Sequence, residues 1–95
     1  MENIDTRYNL RATDITQTSL HLAWLHGSLQ APTAGRRYDI YQNNRLKYSQ
    51  PTHTTFLDII GLTPGTEYSY QVKNVDISTG EVINQSHILA VTTEI

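Results

Sequence analysis

The residues able to carry acid–base, nucleophilic or metal chemistry are few in this sequence, and their spacing argues against catalysis. Four histidines occur, at His21, His26, His53 and His87. No two stand as His-x-His or His-x-x-x-His, the spacings that bring two imidazoles to one metal ion. His21 falls on the outer face of an expected strand, His26 and His53 in expected loops, and His87 near the start of the final strand. Asp39 and Asp58 sit on different strands, and nothing local pairs them as a general acid and base. Cysteine is absent, so neither a thiolate site nor a disulfide is possible, and the compartment stays open. There is no Gly-x-Ser-x-Gly elbow and no phosphate-cradling glycine loop. The expectation is a chain that is no enzyme and carries neither cofactor nor metal.

One cluster has chemistry of another kind. Arg36, Arg37, Arg45 and Lys47 fall close together, more than half of the seven basic residues, with Tyr41 among them and Tyr48 next along. On a hairpin, an outward Tyr41 with Lys47 or Tyr48 would form an aromatic and basic surface. Its candidate ligand-binding residues are Tyr41, Arg45, Lys47 and Tyr48. Aromatic faces stack on sugar rings, and neighbouring cations favour an anionic glycan or a phosphate backbone. The plainer reading is that tyrosines and long basic side chains decorate exposed strands and blunt sheet edges. Nucleic acid is disfavoured against glycan, because the whole chain is acidic, with a formal net charge of −2 and a pI near 6.0. Asn84-Gln85-Ser86 fits the N-glycosylation pattern, which three residues meet by chance and which matters only in a eukaryotic secretory setting.

Short strands must position these residues. The chain has 95 residues, 38% apolar and 17% charged, enough for one modest core. Runs of alternating polarity recur with turn residues between them, and no stretch keeps a helical period. The expected strands are Asn9 to Ile15, Ser19 to Trp24, Arg37 to Gln42, Arg45 to Ser49, Thr55 to Ile60, Glu67 to Ile77 and Ile88 to Thr93. The loop His26 to Gly35 separates the second from the third, and Asn43-Asn44 makes a tight hairpin, since Asn tolerates positive φ. Ser78 to Glu81 is a second hairpin turn. Alternation places Leu20, Leu22 and Trp24 on one face, then Tyr38 and Ile40, then Tyr68, Tyr70 and Val72; with Leu62 these form the expected core. Phe56 and Ile60 fall on the outward side of their strand, where they form a contact patch or lie half-covered by a neighbouring loop or terminus. Seven short strands at regular spacing are the cue for an antiparallel β-sandwich. Residues 1–6 read as a tail and 7–95 as a single domain. No apolar run is long enough to span a membrane, and the N-terminus lacks the features of a signal peptide. Met1 is either the start of a small free-standing protein or an added start on a segment of a longer one.

Three segments together resemble the fibronectin type III family. Leu10, with Thr18-Ser19-Leu20-His21-Leu22-Ala23-Trp24, is similar to its first two strands, whose Trp sits centrally in the core. Tyr38-Asp39-Ile40-Tyr41 resembles its third strand. Gly61-Leu62-Thr63-Pro64-Gly65-Thr66-Glu67-Tyr68, running on to Tyr70 and Val72, matches its most specific stretch. In physical terms, Pro64 and Gly65 turn the chain between sheets, and the buried Tyr68 hydroxyl bonds backbone a few residues upstream. The resemblance covers Arg7 to Thr93 and implies an immunoglobulin-like, seven-stranded all-β sandwich. Asn74 departs from it, standing where the family has a small apolar residue, so a looser or wetter strand end is expected there. The Thr-rich style is similar to modules of bacterial extracellular polysaccharide-degrading enzymes and of phage virion proteins. Arg-Gly-Asp is missing from the loop before the last strand, which reads Ser78-Thr79-Gly80-Glu81, so integrin adhesion through it is unsupported. The resemblance implies a spacer module in a larger secreted bacterial protein, with neighbouring domains as partners. Its alternative is a recognition module for a glycan or a partner protein, including one on a virion surface. Membrane insertion and nucleic-acid binding are not expected.

Overall fold

The computed structural model describes residues 4–25, 35–51 and 54–95. The 26–35 loop, apart from Gly35, lies outside them, as do His26 and His53. Among the described residues eight strands are formed: β1 (Arg11–Thr13), β2 (Leu20–Ala23), β3 (Arg36–Gln42), β4 (Arg45–Pro51), β5 (Phe56–Ile59), β6 (Glu67–Asp76), β7 (Val82–Gln85) and β8 (Leu89–Thr92). β1, β2 and β5 make a three-stranded antiparallel sheet in that order. The second sheet runs β4-β3-β6-β7, with β8 also pairing with β6.

The alternation that builds the strands also builds the core between the sheets. Leu20, Leu22 and Ile59 from the first sheet meet Tyr38, Ile40, Tyr68, Tyr70, Val72 and Val91 from the second, and Trp24, Leu62, Tyr8 and Leu10 complete the buried cluster. Every residue expected in the core is buried. Tyr38 organises the aromatic centre, with Trp24 edge-on to it at 5.7 Å and Tyr8 edge-on at 6.3 Å. Such edge-to-face pairs add to the gain from area burial alone.

Three boundaries differ from expectation, each for a local reason. The first strand is shorter, because Asn9 (φ 47°) and Asp14 (φ 51°) take left-handed conformations that end strand pairing on either side of Arg11–Thr13. The tail is docked from Ile4 onward: Ile4 bridges to Gln85, the Asp5 N–H donates to the Gln85 carbonyl at 2.8 Å, and a 3-10 turn over Thr6–Tyr8 carries Tyr8 into the core. A strand outside the expected set, β7, pairs with β6 ahead of the last strand, β8. Between them the Ser86 hydroxyl accepts from the Val72 N–H at 2.9 Å and donates to the His87 carbonyl, so a side chain stands in for the ladder over the break.

The turns follow their residues. Asn43 (φ 51°) and Asn44 (φ 68°) both adopt the left-handed region in the β3–β4 hairpin, the requirement of a type I′ turn. At the corner before β6, the Thr63 N–H donates to the Tyr68 hydroxyl at 2.9 Å. The Thr93 hydroxyl then donates to the Thr63 carbonyl at 2.6 Å, tying the corner to the end of the chain. The two described ends lie at different levels of β6. Ile4 sits beside Gln85, which pairs with Lys73, whereas Glu94 bonds Thr16 and Gly65 just before β6 begins. At strand spacing that offset is about 20 Å, along a body 40 Å in its longest dimension.

Candidate functional site

The hairpin surface expected from sequence is divided by the register of β3 on β4. Ile40 pairs with Tyr48, and the next pair is Tyr41 with Leu46, so Lys47 is the extra residue of a bulge. Residues directly opposite one another share a face. Tyr48 therefore points inward with Ile40 and packs against the core, while Tyr41 points outward beside Leu46. Arg45 pairs with Gln42 at the exposed hairpin end. The expected pairing of Tyr41 with Tyr48 on one surface does not form, because the bulge reverses the alternation between them.

The cation that does reach Tyr41 comes from elsewhere. Lys73 on β6 places its Nζ 4.3 Å from the centre of the Tyr41 ring. This is a cation–π contact, and it occupies the ring face on which a sugar would stack. Beside it, Asp39 is buried on the same outward side of β3, accepting from Arg37 Nε at 2.8 Å and from the Ser49 hydroxyl at 2.7 Å. The hydrogen bond and charge of Asp39 hold the Arg37 guanidinium protonated beyond its ordinary range. Arg37 and Lys73 are thus engaged within the sheet face.

The second outward face, that of β1-β2-β5, carries a different set. Phe56 and Asp58 on β5 and Ile60 just past its end alternate outward, with Phe56 50% and Ile60 75% exposed. His21 pairs across from Asp58, and its Nδ1 lies 2.6 Å from Asp58 Oδ1. The His21 ring stands 6.0 Å from that of Phe56, tilted by 50°. A cleft of about 290 Å³ opens beside this pair, lined by Asp14, His21, Asp58 and Ile60 with the buried Leu20 and Ile59. Sequence reading placed His21, Phe56 and Ile60 on outer faces; the partnership of His21 with Asp58 spans 37 residues and needs the β2–β5 register. Among the described residues, no group of three or more His, Cys, Asp or Glu is placed to hold a metal ion.

Asn84, the would-be glycosylation acceptor, is buried, and its Oδ1 accepts from the Tyr8 hydroxyl. Its cross-strand neighbour Asn74 lies on the inward face opposite Tyr38, and Asn74 Oδ1 and Trp24 Nε1 have no hydrogen-bond partner among the described residues. Burial raises the Tyr8 hydroxyl well above the usual phenol range, with Tyr38 adding to it and a hydrogen bond to Asn74 opposing.

Residues 6–88 match the family model described as the fibronectin type III domain. The chain belongs to the fibronectin type III family. Among solved structures, this fibronectin type III domain is similar to one from human fibronectin type III domain containing protein 3, with a TM-score of 0.71, 20% identity, and 90% and 81% of the two chains covered. It is also similar to part of the Yersinia enterocolitica family 28 exopolygalacturonase, with a TM-score of 0.72, 14% identity, and 96% and 20% covered. These likenesses concern the fold. Among curated proteins, the domain is 37% identical over 84 residues to a chitinase of Paenibacillus xylanexedens and 34% identical over 84 residues to chitinase D of Niallia circulans. Each match covers 88% of this chain and 15% of the relative, so the domain spans a small part of the chitinases it matches.

Proposed function

We propose that this fibronectin type III domain is a non-catalytic spacer in a larger secreted bacterial enzyme that degrades a polysaccharide. The observation that carries the reading is the match of nearly the whole domain to one small part of two chitinases. Its shape supports the same use. A core filled by its own side chains resists bending, and the offset between its ends lets it enter and leave a chain in line, holding neighbours apart by a fixed distance. Extracellular location follows from the enzyme setting and is part of the proposal.

A graft into a chitinase between its catalytic domain and a polymer-binding domain tests this. Replacing the module by a Gly/Ser linker of equal reach should leave hydrolysis of soluble oligosaccharides unchanged and lower hydrolysis of insoluble chitin several-fold. An unrelated rigid sandwich of similar length should restore it. Equal rates on insoluble chitin with the flexible linker would remove the spacer role. The module alone should release no sugar from either substrate.

A further inference from the structure

The outward row of β5 has no task in a spacer. Phe56 and Ile60 leave much of their apolar surface in water, which favours a partner that covers it. Between them stands Asp58, its side chain 80% exposed and one oxygen held by His21. The cleft beside this pair falls just below the usual range for drug-sized pockets, so it suits a single ring.

The chemistry of the lining narrows the ligand. Asp14 and Asp58 repel anions, which argues against uronic acids and phosphates. Ile60 offers apolar contact, while the Asp58 carboxylate is an acceptor and His21 Nε2 a donor or acceptor. A neutral sugar ring has the complementary surface, with C–H groups on its faces and hydroxyl donors around its rim. We infer that the cleft between β2 and β5 binds one neutral pyranose ring of a polysaccharide chain. Ile60 lies against its C–H surface, and Asp58, positioned by His21, accepts from its hydroxyls. The inference rests on the carbohydrate setting proposed above, and it puts the contact on the face opposite Tyr41.

The test is a titration of this chain with chitotetraose and cellotetraose, followed through backbone amide resonances, with oligogalacturonate as the anionic comparison. The neutral sugars should give saturable shifts clustered on His21, Asp58, Ile59 and Ile60, and oligogalacturonate should give none there. Ile60→Ala and Asp58→Ala, both at exposed side chains, should each weaken binding at least about tenfold while the spectrum stays dispersed. Flat titrations with both neutral sugars overturn the inference, as do saturable shifts confined to Tyr41 and Leu46, or wild-type affinity in both variants. Shifts at the cleft from a lysine-rich peptide but from no sugar would overturn it in favour of a protein partner. The two readings fail separately. A flat titration beside a working graft removes the sugar site alone, and saturable binding beside an inert graft removes the spacer alone.

Discussion

The Tyr68 hydroxyl accepts from the Thr63 N–H across the corner that carries the chain between sheets, while its ring stacks near Tyr70 at 6.4 Å within the core. Removing the oxygen leaves the ring in place and strands that N–H, which sits in a partly buried corner. Tyr68→Phe should therefore cost about 1–3 kcal/mol in urea unfolding, with little change in the spectrum of the folded state. Stability equal to wild type would mean that packing alone holds the corner. This contact was legible in the sequence, because Pro64-Gly65 and Tyr68 are local to one another. The buried trio of Tyr8, Asn74 and Asn84 was not. Tyr8 precedes the first strand, and its place in the core depends on partners more than sixty residues away.

Strand pairing decides which residues meet, and here the sequence was informative up to the point where alternation slips. The β3–β4 turn was readable from Asn43-Asn44, and its geometry makes a sharp expectation. Asn44 holds φ 68°, so Asn44→Val should destabilise by about 1–2 kcal/mol, whereas Asn44→Gly should be neutral or slightly stabilising. Thermal unfolding of the two variants distinguishes them, and equal melting temperatures would show that the turn relaxes to another type. At the third residue beyond the turn the count fails. Nothing in Arg45-Leu46-Lys47-Tyr48 marks Lys47 as a bulge, and the insertion turns Tyr48 inward and hides it from the proposed hairpin surface. The strand β7 was equally silent, since Val82-Ile83-Asn84-Gln85 shows no alternation and its pairing with β6 comes from the register. Face and core were written in the local pattern; cross-strand partners such as Lys73 on Tyr41 and Asp58 on His21 were set by registers no local pattern carries.

The domain as a whole stands without disulfides, so its stability responds directly to the protonation of what it buries. Burial raises Tyr8 and Tyr70 far above the ordinary phenol value and pushes Tyr38 up to about 12. The folded state thus holds these phenols neutral, whereas the unfolded chain ionises them near pH 10. The stability linked to them is full below that value and is lost as pH rises toward their folded-state values. Urea unfolding followed by Trp24 fluorescence should show a constant midpoint between pH 7 and pH 9 with respect to these groups, then a steep fall above about pH 10. A flat profile to pH 12 would show that the three hydroxyls reach water. The placement of the two described ends has a mechanical consequence. Tension applied through Asp5 and Glu94 runs along the strands, so it loads the β1–β2 and β6–β8 ladders in shear, with many hydrogen bonds resisting at once, instead of peeling them apart one by one. Pulled in that direction, the module resists as a unit until a whole ladder gives way.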